Sequence, residues 1–380
     1  MRVATFNASL NRGSSGQLIT DLSTPDNPQA QAVAQIIQLV RPHVLLVNEF
    51  DYDSSGTAVQ LFRDQYLAQP QGGAQGMHYP YYFVAASNTG VPSGLDLDNS
   101  GAVGGPGDAF GFGFFPGQFG MAVYSMYPIA FDQVRTFQHF LWRDMPGALL
   151  PDDPATSAEA DWYSDAELEE LRLSSKSHWD VPIEINGATL HLLASHPTPP
   201  VFDGAEDRNG RRNHDEIRFW ADYVQPGRRS AYIYDDLGQW GGLPPGARFV
   251  IAGDLNADPF DGDSTGSAAQ QLLKHPRINI SSTPAAAGAA QASARQGDIN
   301  LAHIGDPAQD TADFAETNFG GPGNLRVDYV LPSKHLRIHD AGVFWPEISD
   351  PLYALVGDFP FPSSDHRLVW IDIVLTPARK

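Results

Sequence analysis

Two mixed β-sheets packed face to face with helices outside, an α/β architecture, are predicted for this 380-residue chain. Three observations carry the prediction. Strand-like apolar runs alternate with helical patterns, as in the succession 2–10, 28–40 and 44–50, which favours a layered α/β fold. Hairpins interrupt that alternation, most clearly where 179–185 and 188–195 flank Asn186-Gly187, so a doubly wound parallel sheet is disfavoured. The composition, 42% apolar and 18% charged, is that of a globular protein with a sizeable core.

Along the chain, residues 2–10 alternate and are β-rich. Val33, Ile36, Ile37 and Val40 recur at helical spacing behind Pro28, which suits a first helical turn. The apolar run 44–50 ends in a carboxylate, so the chain starts as a β-α-β unit. A second helix is expected at 57–67, and strands at 79–85 and 121–129 flank a long Gly/Pro/Asp loop. Ser164 and Glu167 have capping-box spacing ahead of a short helix. Ile217, Trp220, Ala221 and Val224 share one face of a helix over 213–224. A buried strand at 248–252 runs into Gly253-Asp254-Leu255-Asn256, followed by a helix near 265–273 and strands at 327–331 and 368–375. The Ala-rich stretch 285–294 reads as a mobile loop or a short helix. With no repeat or linker, one domain over 1–380 is expected, with loop insertions near 86–120, 140–175, 225–246 and 281–320.

The formal charge of −21 repels nucleic acid at long range unless metal ions or a local basic pocket compensate. Its simpler meaning is solubility, in salt or outside the cell, and a secreted or periplasmic protein is expected, with any leader absent from this chain. The absence of cysteine excludes disulfides, thiolate metal sites and a cysteine nucleophile. No apolar run reaches membrane-spanning length, and no protein partner is indicated.

Polar groups recur where apolar strands end: Asn7, Glu49, His196, Asp254, Asn256, Asp328, Asp365 and His366. Burying ionisable groups costs several kcal/mol per ion, on the order of what a fold can spare, unless something pairs them. Carboxylates converging at one end of a sandwich therefore call for a cation. Hard oxygen ligands suit Mg2+ first, with Mn2+ or Ca2+ as alternatives, whereas Zn2+ would favour histidine pairs at short helical spacing. Other clusters have plainer readings. Asp96 to Gly101 resembles half of a calcium loop, but Gly107 stands where an EF-hand carries Glu, so a flexible loop is expected. Asp258, Asp261 and Asp263 read as helix-capping residues. Arg211, Arg212, Asn213 and His214 read as a helix start with surface ion pairs. Phe110, Phe112, Phe114, Phe115 and Phe119 read as loop packing before they read as a lid.

Taken in order, TFN (5–7), NEF (48–50), SH (195–196), GDLNADP (253–259), RVDYVLPS (326–333) and SSDHRLV (363–369) resemble the endonuclease/exonuclease/phosphatase superfamily, the fold of DNase-I-like nucleases, over residues 5–375. The resemblance implies a four-layer α/β sandwich with the site at one edge of the paired sheets. It implies Glu49 as principal metal ligand, supported by Asn7 and Asp365. Asp254 would hold and activate the attacking water or bind a second metal. Asn256 would position phosphate or water. His366 would bond the phosphoryl oxygens or share acid/base duty, and Asp328 would orient it. His196 would bond the phosphate and protonate the leaving group. Lys176 and His178 lie where the family places phosphate-contacting groups. Three positions depart from the family pattern: Ser9 stands for an Asp, Gln118 lies where a Glu would pair with His196, and Asp51-Tyr52-Asp53 replaces basic or aromatic groups that grip a duplex. The expected activity is metal-dependent hydrolysis of a small or lipid-like phosphomonoester or phosphodiester. The alternatives are a secreted nuclease and a non-catalytic binding module.

Overall fold

A computed structural model describes residues 1–315 and 320–375. Residues 316–319, in the last expected loop insertion, and 376–380, at the end of the expected 1–380 span, lie outside the described residues. Strands β1 (Arg2–Leu10), β2 (Val44–Phe50), β3 (Tyr81–Phe83), β4 (Met121–Ser125), β5 (Arg135–Thr136), β6 (His178–Ile185), β7 (Ala188–Ser195), β8 (Phe249–Asp254), β9 (Ala312–Asp313), β10 (Asn324–Leu325), β11 (Asp328–Pro332), β12 (Arg337–Val343) and β13 (Val369–Val374) are present. They are interleaved with helices α1 (Gln17–Leu22), α2 (Pro28–Val40), α3 (Thr57–Leu61), α4 (Asp165–Leu168), α5 (Arg208–Tyr223), α6 (Gln270–Leu273) and α7 (Ala287–Gln296).

Two larger sheets form, ordered β12-β13-β1-β2-β4-β3 and β11-β8-β7-β6-β5, with β9 and β10 as a separate pair. The pairs β1–β2 and β7–β8 are parallel and their neighbours antiparallel. The expected mixed-sheet sandwich is thus observed. Strand alternation explains the stacking. Leu190, Leu192 and Ala194 of β7, with Val250 and Ala252 of β8, join Val3, Val44 and Leu46 of the first sheet in one buried core. The intervening Leu193, Phe249 and Ile251 turn to the other side, against Ile217 and Trp220 of α5. Each such side chain contributes roughly 1.5–3 kcal/mol of burial, so a one-residue slip in register would forfeit both cores at once.

Local chemistry fixes the turns. Asn27 caps α2 by accepting from Ala30 N, with Pro28 in the first turn. The Asn186-Gly187 turn has φ of 51° and 78°, the double positive that a type I′ hairpin needs. Three expectations are refined. The Ala-rich stretch is helical, as α7. The 57–67 helix passes at Phe62 into a π-helical turn, Phe62–Leu67. The 265–273 helix breaks into a 3-10 turn, Thr265–Ser267, and α6, because Gly266 adopts φ 59°.

Candidate active site

Because β1, β2, β7 and β8 run the same way while β11 and β13 run against them, one edge collects four strand ends and two strand starts. That edge carries Asn7, Glu49, His196, Asp254, Asp328, Asp365 and His366. Asn7 pairs in register with Asn48 across β1–β2, and Asp254 with Asp328 across β8–β11. The approach is close. A Cβ on Gly253, whose φ is +151°, would lie 2.0 Å from Ser195 O, so the glycine of GDLN lets β8 reach the end of β7. Ser9, Glu49 and Asn256 all hold left-handed backbone, with φ of 48°, 55° and 51°. Such geometry costs roughly 1–2 kcal/mol per residue, and it re-aims side chains that regular alternation would send elsewhere.

Asp254 is the hub. Its Oδ2 accepts from Asn7 Nδ2 at 3.0 Å and faces His196 Nε2 at 3.4 Å and His366 Nε2 at 3.7 Å, while its Oδ1 accepts from Asn256 N at 2.8 Å. His366 Nδ1 lies 2.9 Å from Asp328 Oδ2, which also accepts from Thr311 Oγ1 at 2.8 Å. Phe314 meets the His366 ring edge-on, with centroids 5.3 Å apart. Beside Asp254, Asn256 Nδ2 donates to Pro197 O at 3.1 Å, and the buried Lys176 Nζ approaches the same oxygen at 3.5 Å. An ammonium has three donors, and among the described residues Lys176 has no other bonded acceptor.

Electrostatics divide the groups. Burial alone would raise the Asp254 carboxyl, but His366, His196 and Asn7 outweigh it and hold the carboxyl far below the usual range. His366 goes the other way. Burial opposes its charge, yet Asp328 and Asp254 raise it well above the ordinary value, so it stands as an imidazolium. Burial and then the Lys176 charge lower His196 to about 4, so at neutral pH its ring is uncharged. Its Nε2 faces a carboxylate and carries the proton, which leaves Nδ1 a buried acceptor without a partner. Gln118, standing where a partner Glu was looked for, bonds Arg12 O and Phe114 N instead.

The oxygen donors fit a hard divalent cation. Glu49 is raised by burial first and by the like charge of Asp365 next, and His366 offsets only part of this. The hydrogen-bond partners of these two carboxylates are neutral: Asn11 Nδ2 at 2.7 Å from Glu49 Oε2, and Ser9 Oγ at 3.2 Å from Asp365 Oδ1. Crowded, half-buried carboxylates with neutral partners are what a cation relieves. Asp254, Asp328 and His366 also form a close set, with possible ligand atoms within 4.8 Å of one another. There, however, Nδ1 is bonded to Asp328 and Nε2 is turned to Asp254, the arrangement of a charged histidine between two carboxylates. The carboxylates that are hydrogen-bonded only to neutral groups are accordingly Glu49 and Asp365, with Asn7 and Asp254 beside them.

Some expected groups lie elsewhere. His178 is not brought to the site. Its Nδ1 meets Ser174 Oγ, its Nε2 lies 2.8 Å from Glu216 O, and its ring packs on Phe219 and Trp220, so it is a core residue. Asp51 is buried, accepts from Arg12 N at 2.7 Å and Phe119 N at 3.1 Å, and is pushed by burial up to about 7. Asp53 caps α3 through Thr57 N and Ala58 N. Neither is a free charge facing a duplex. Arg212 and Asn213 are buried, not surface residues. Asp96 and Asp98 converge with Asp108, a partner the sequence reading did not see, and backbone N–H groups of Leu97, Ser100, Gly101 and Gly104 take up the three carboxylates. Asn11, Ser364 and Thr311 were missed, and Ser9 was noted only as a departure from the family pattern. They are short polar residues beside these carboxylates; Ser9, Asn11 and Ser364 lie near Asn7 or Asp365 in sequence, and nothing local pointed to Thr311.

Known proteins resemble this chain in family and fold. The Endonuclease/Exonuclease/phosphatase family profile matches residues 4–366. No curated protein matches the chain. Among solved structures, an endonuclease/exonuclease/phosphatase from Beutenbergia cavernae DSM 12333 aligns at 16% identity and a TM-score of 0.50, covering 99% of this chain and 71% of that one. A family protein from Leptotrichia buccalis C-1013-b aligns at 12% identity and 0.49, over 99% and 100% of the two chains. A beta toxin from Staphylococcus aureus aligns at 14% and 0.48, over 98% and 99%.

Proposed function

The chain belongs to the endonuclease/exonuclease/phosphatase family, and from that premise we propose that it is a divalent-metal-dependent hydrolase of small or lipid-like phosphate esters. The observation that carries this reading is the division at the sheet edge. Anionic oxygens of Glu49 and Asp365 stand on one side, and the donors Lys176, Asn256, His196 and His366 stand on the other, around Asp254.

In this reading the oxygen of a water molecule bonds to phosphorus as the ester P–O bond breaks in line. The leaving oxygen gains a proton and the phosphate keeps the hydroxyl oxygen. Asp254, held ionised, is a poor proton acceptor at neutral pH but a good orienting acceptor for that water. His366, held charged by Asp328, and Lys176 and Asn256 offer donors to the non-bridging oxygens, where charge accumulates. His196, uncharged and without a carboxylate behind it, acts as a hydrogen-bond donor through Nε2, and leaving-group protonation falls to solvent. Glu49, with Asp365 and Asn7, would hold a divalent cation, which when bound would stabilise charge and ease ionisation of water.

The preference for a small ester over a polynucleotide rests on where the arginines go. Arg12 pairs with Asp21, Arg172 with Asn88, Arg367 with Asp313, and Arg212 with the carbonyls of Phe110, Arg172 and Leu173. Guanidinium groups near the catalytic strands are thus held internally, on a chain of charge −21. A backbone-tracking groove needs such groups free. The test is a hydrolysis panel with Mg2+ or EDTA. It sets bis(p-nitrophenyl) phosphate, p-nitrophenyl phosphate and a choline phospholipid against plasmid DNA and RNA. Metal-dependent turnover of the small or lipid esters with little nucleic-acid cleavage is expected. Preferential cutting of plasmid or RNA would make it a nuclease, and turnover that persists in EDTA would remove the metal.

A further inference from the structure

Helix α5 presents two fully buried polar side chains three residues apart on one face, Asn213 and Glu216. Glu216 Oε1 accepts from Ser175 N at 2.6 Å and Ser175 Oγ at 3.0 Å, and its Oε2 accepts from Thr198 N at 2.7 Å. Asn213 Nδ2 donates to Thr198 O at 2.8 Å and Leu255 O at 2.9 Å. These three segments carry three of the four donors named above, Lys176, His196 and Asn256. Ser175 precedes Lys176, Thr198 closes the His196-Pro197 turn, and Leu255 sits between Asp254 and Asn256. Pro197 O, the shared acceptor of Lys176 and Asn256, lies inside the span that Asn213 and Glu216 tie down. Glu216 is also the foremost anion facing the Lys176 ammonium.

Burying a carboxylate is costly unless its lone pairs are met. Here they are met by two loops that share no strand pairing at those residues, and Asn213 extends the tie to a third. Resting on the phosphoesterase reading above, we propose that Glu216 and Asn213 are positioning residues. Chiefly through backbone bonds, with the Ser175 hydroxyl added, they set the spacing of Lys176, His196 and Asn256, the phosphate-binding half of the site, without touching substrate. The metal half, built on β1 and β2, does not depend on them.

Two variants test this, Glu216→Gln and Asn213→Ala, with Arg218→Ala on the same helix as control. The glutamine is isosteric, but it must turn an NH2 toward either the Ser175 or the Thr198 amide. Four readouts are compared: Mg2+ affinity by calorimetry, affinity for inorganic phosphate in Mg2+, kcat/KM for bis(p-nitrophenyl) phosphate, and amide hydrogen exchange at Ser175 and Thr198. Mg2+ affinity should hold within about two-fold, while phosphate affinity falls on the order of ten-fold or more and kcat/KM for bis(p-nitrophenyl) phosphate falls on the order of 100-fold. Exchange should speed up at Ser175 and Thr198 but not in β2. Unchanged phosphate affinity in both folded variants would overturn the proposal, as would equal losses of metal and phosphate binding. If Glu216→Gln does not fold, the decision passes to Asn213→Ala and to Ser175→Ala, which deletes only the hydroxyl bond. Weaker phosphate binding at constant Mg2+ affinity supports the clamp, and unchanged phosphate binding ends it. Should the wild type hydrolyse none of the panel esters, the functional reading fails by itself, and phosphate affinity with hydrogen exchange still judges the clamp.

Discussion

The two sheets bring opposite chemistry to a common edge. The first contributes Asn7, which donates to Asp254, and Glu49 and Asp365, acceptors whose hydrogen-bond partners are neutral and whose like charges oppose one another. The second contributes Asp254, Asn256 and the loop bearing His196, with Lys176 just ahead of β6, and here donors outnumber accepted bonds. His366 belongs by sequence to the first sheet, next to Asp365, yet its ring is held by Asp328 and Asp254 of the second. Neither half is comfortable alone. On the first, carboxylates crowd one another, and on the second a buried lysine keeps donors to spare. In the proposed reading a cation would relieve the first and a phosphate would accept from the second.

The sharpest way to break the comparison is Glu49→Ala. Removing the principal oxygen donor should lower metal-dependent turnover by on the order of 1,000-fold or more, measured with bis(p-nitrophenyl) phosphate, while circular dichroism stays that of the wild type. Next is His366→Asn, which keeps size and removes the charge. Turnover should fall roughly 100- to 1,000-fold with Mg2+ affinity nearly intact, since the ring is spent on Asp328 and Asp254; loss of Mg2+ affinity would instead make His366 a ligand. Lys176→Met should act mainly on KM, raising it about ten-fold, because the ammonium serves the bound phosphate. A change confined to kcat would move Lys176 to the reacting atoms.

The smallest effect concerns stability, and its sign depends on the metal. Glu49 has a folded value raised above its ordinary 4.5. The native state therefore holds a proton that the unfolded chain has released, and stability falls as pH rises from about 4.5 through the folded value. In EDTA, Glu49→Gln should melt ~2–4 °C above the wild type at pH 7 and level with it at pH 4. In Mg2+ the order should reverse, since only the wild type gains from binding. A glutamine variant less stable in EDTA would show that Glu49 is structurally paired.

Much of the frame was legible in sequence because it rests on periodicity and punctuation. The β1-α2-β2 start, the Asn186-Gly187 hairpin and the GDLN strand end all have local signals. The exposed edge strand β12 was not legible: its burial pattern shows no clean alternation and its sequence, RIHDAGV, is polar. The polar residues that gather at the sheet edge were legible because a carboxylate after an apolar run is conspicuous. Misplacement came where only tertiary packing decides. His178 looked like a polar residue at a hairpin mouth, and nothing local shows that Phe219 and Trp220 enclose its ring, with centroids 4.7 Å and 5.0 Å away. Asp51 and Asp53 looked like free charge because the amides that consume them, Phe119 and the α3 terminus, are distant or invisible to charge counting. Asn213 and Glu216 lay in a polar stretch that resembled a solvated helix face.

The division between the halves is tested most directly by titrating Mg2+ calorimetrically into wild type, Glu49→Ala and His366→Asn under identical conditions. Binding in the wild type, its loss in Glu49→Ala and its retention in His366→Asn are predicted. Retention in Glu49→Ala together with loss in His366→Asn would place the cation among Asp254, Asp328 and His366 and contradict the account.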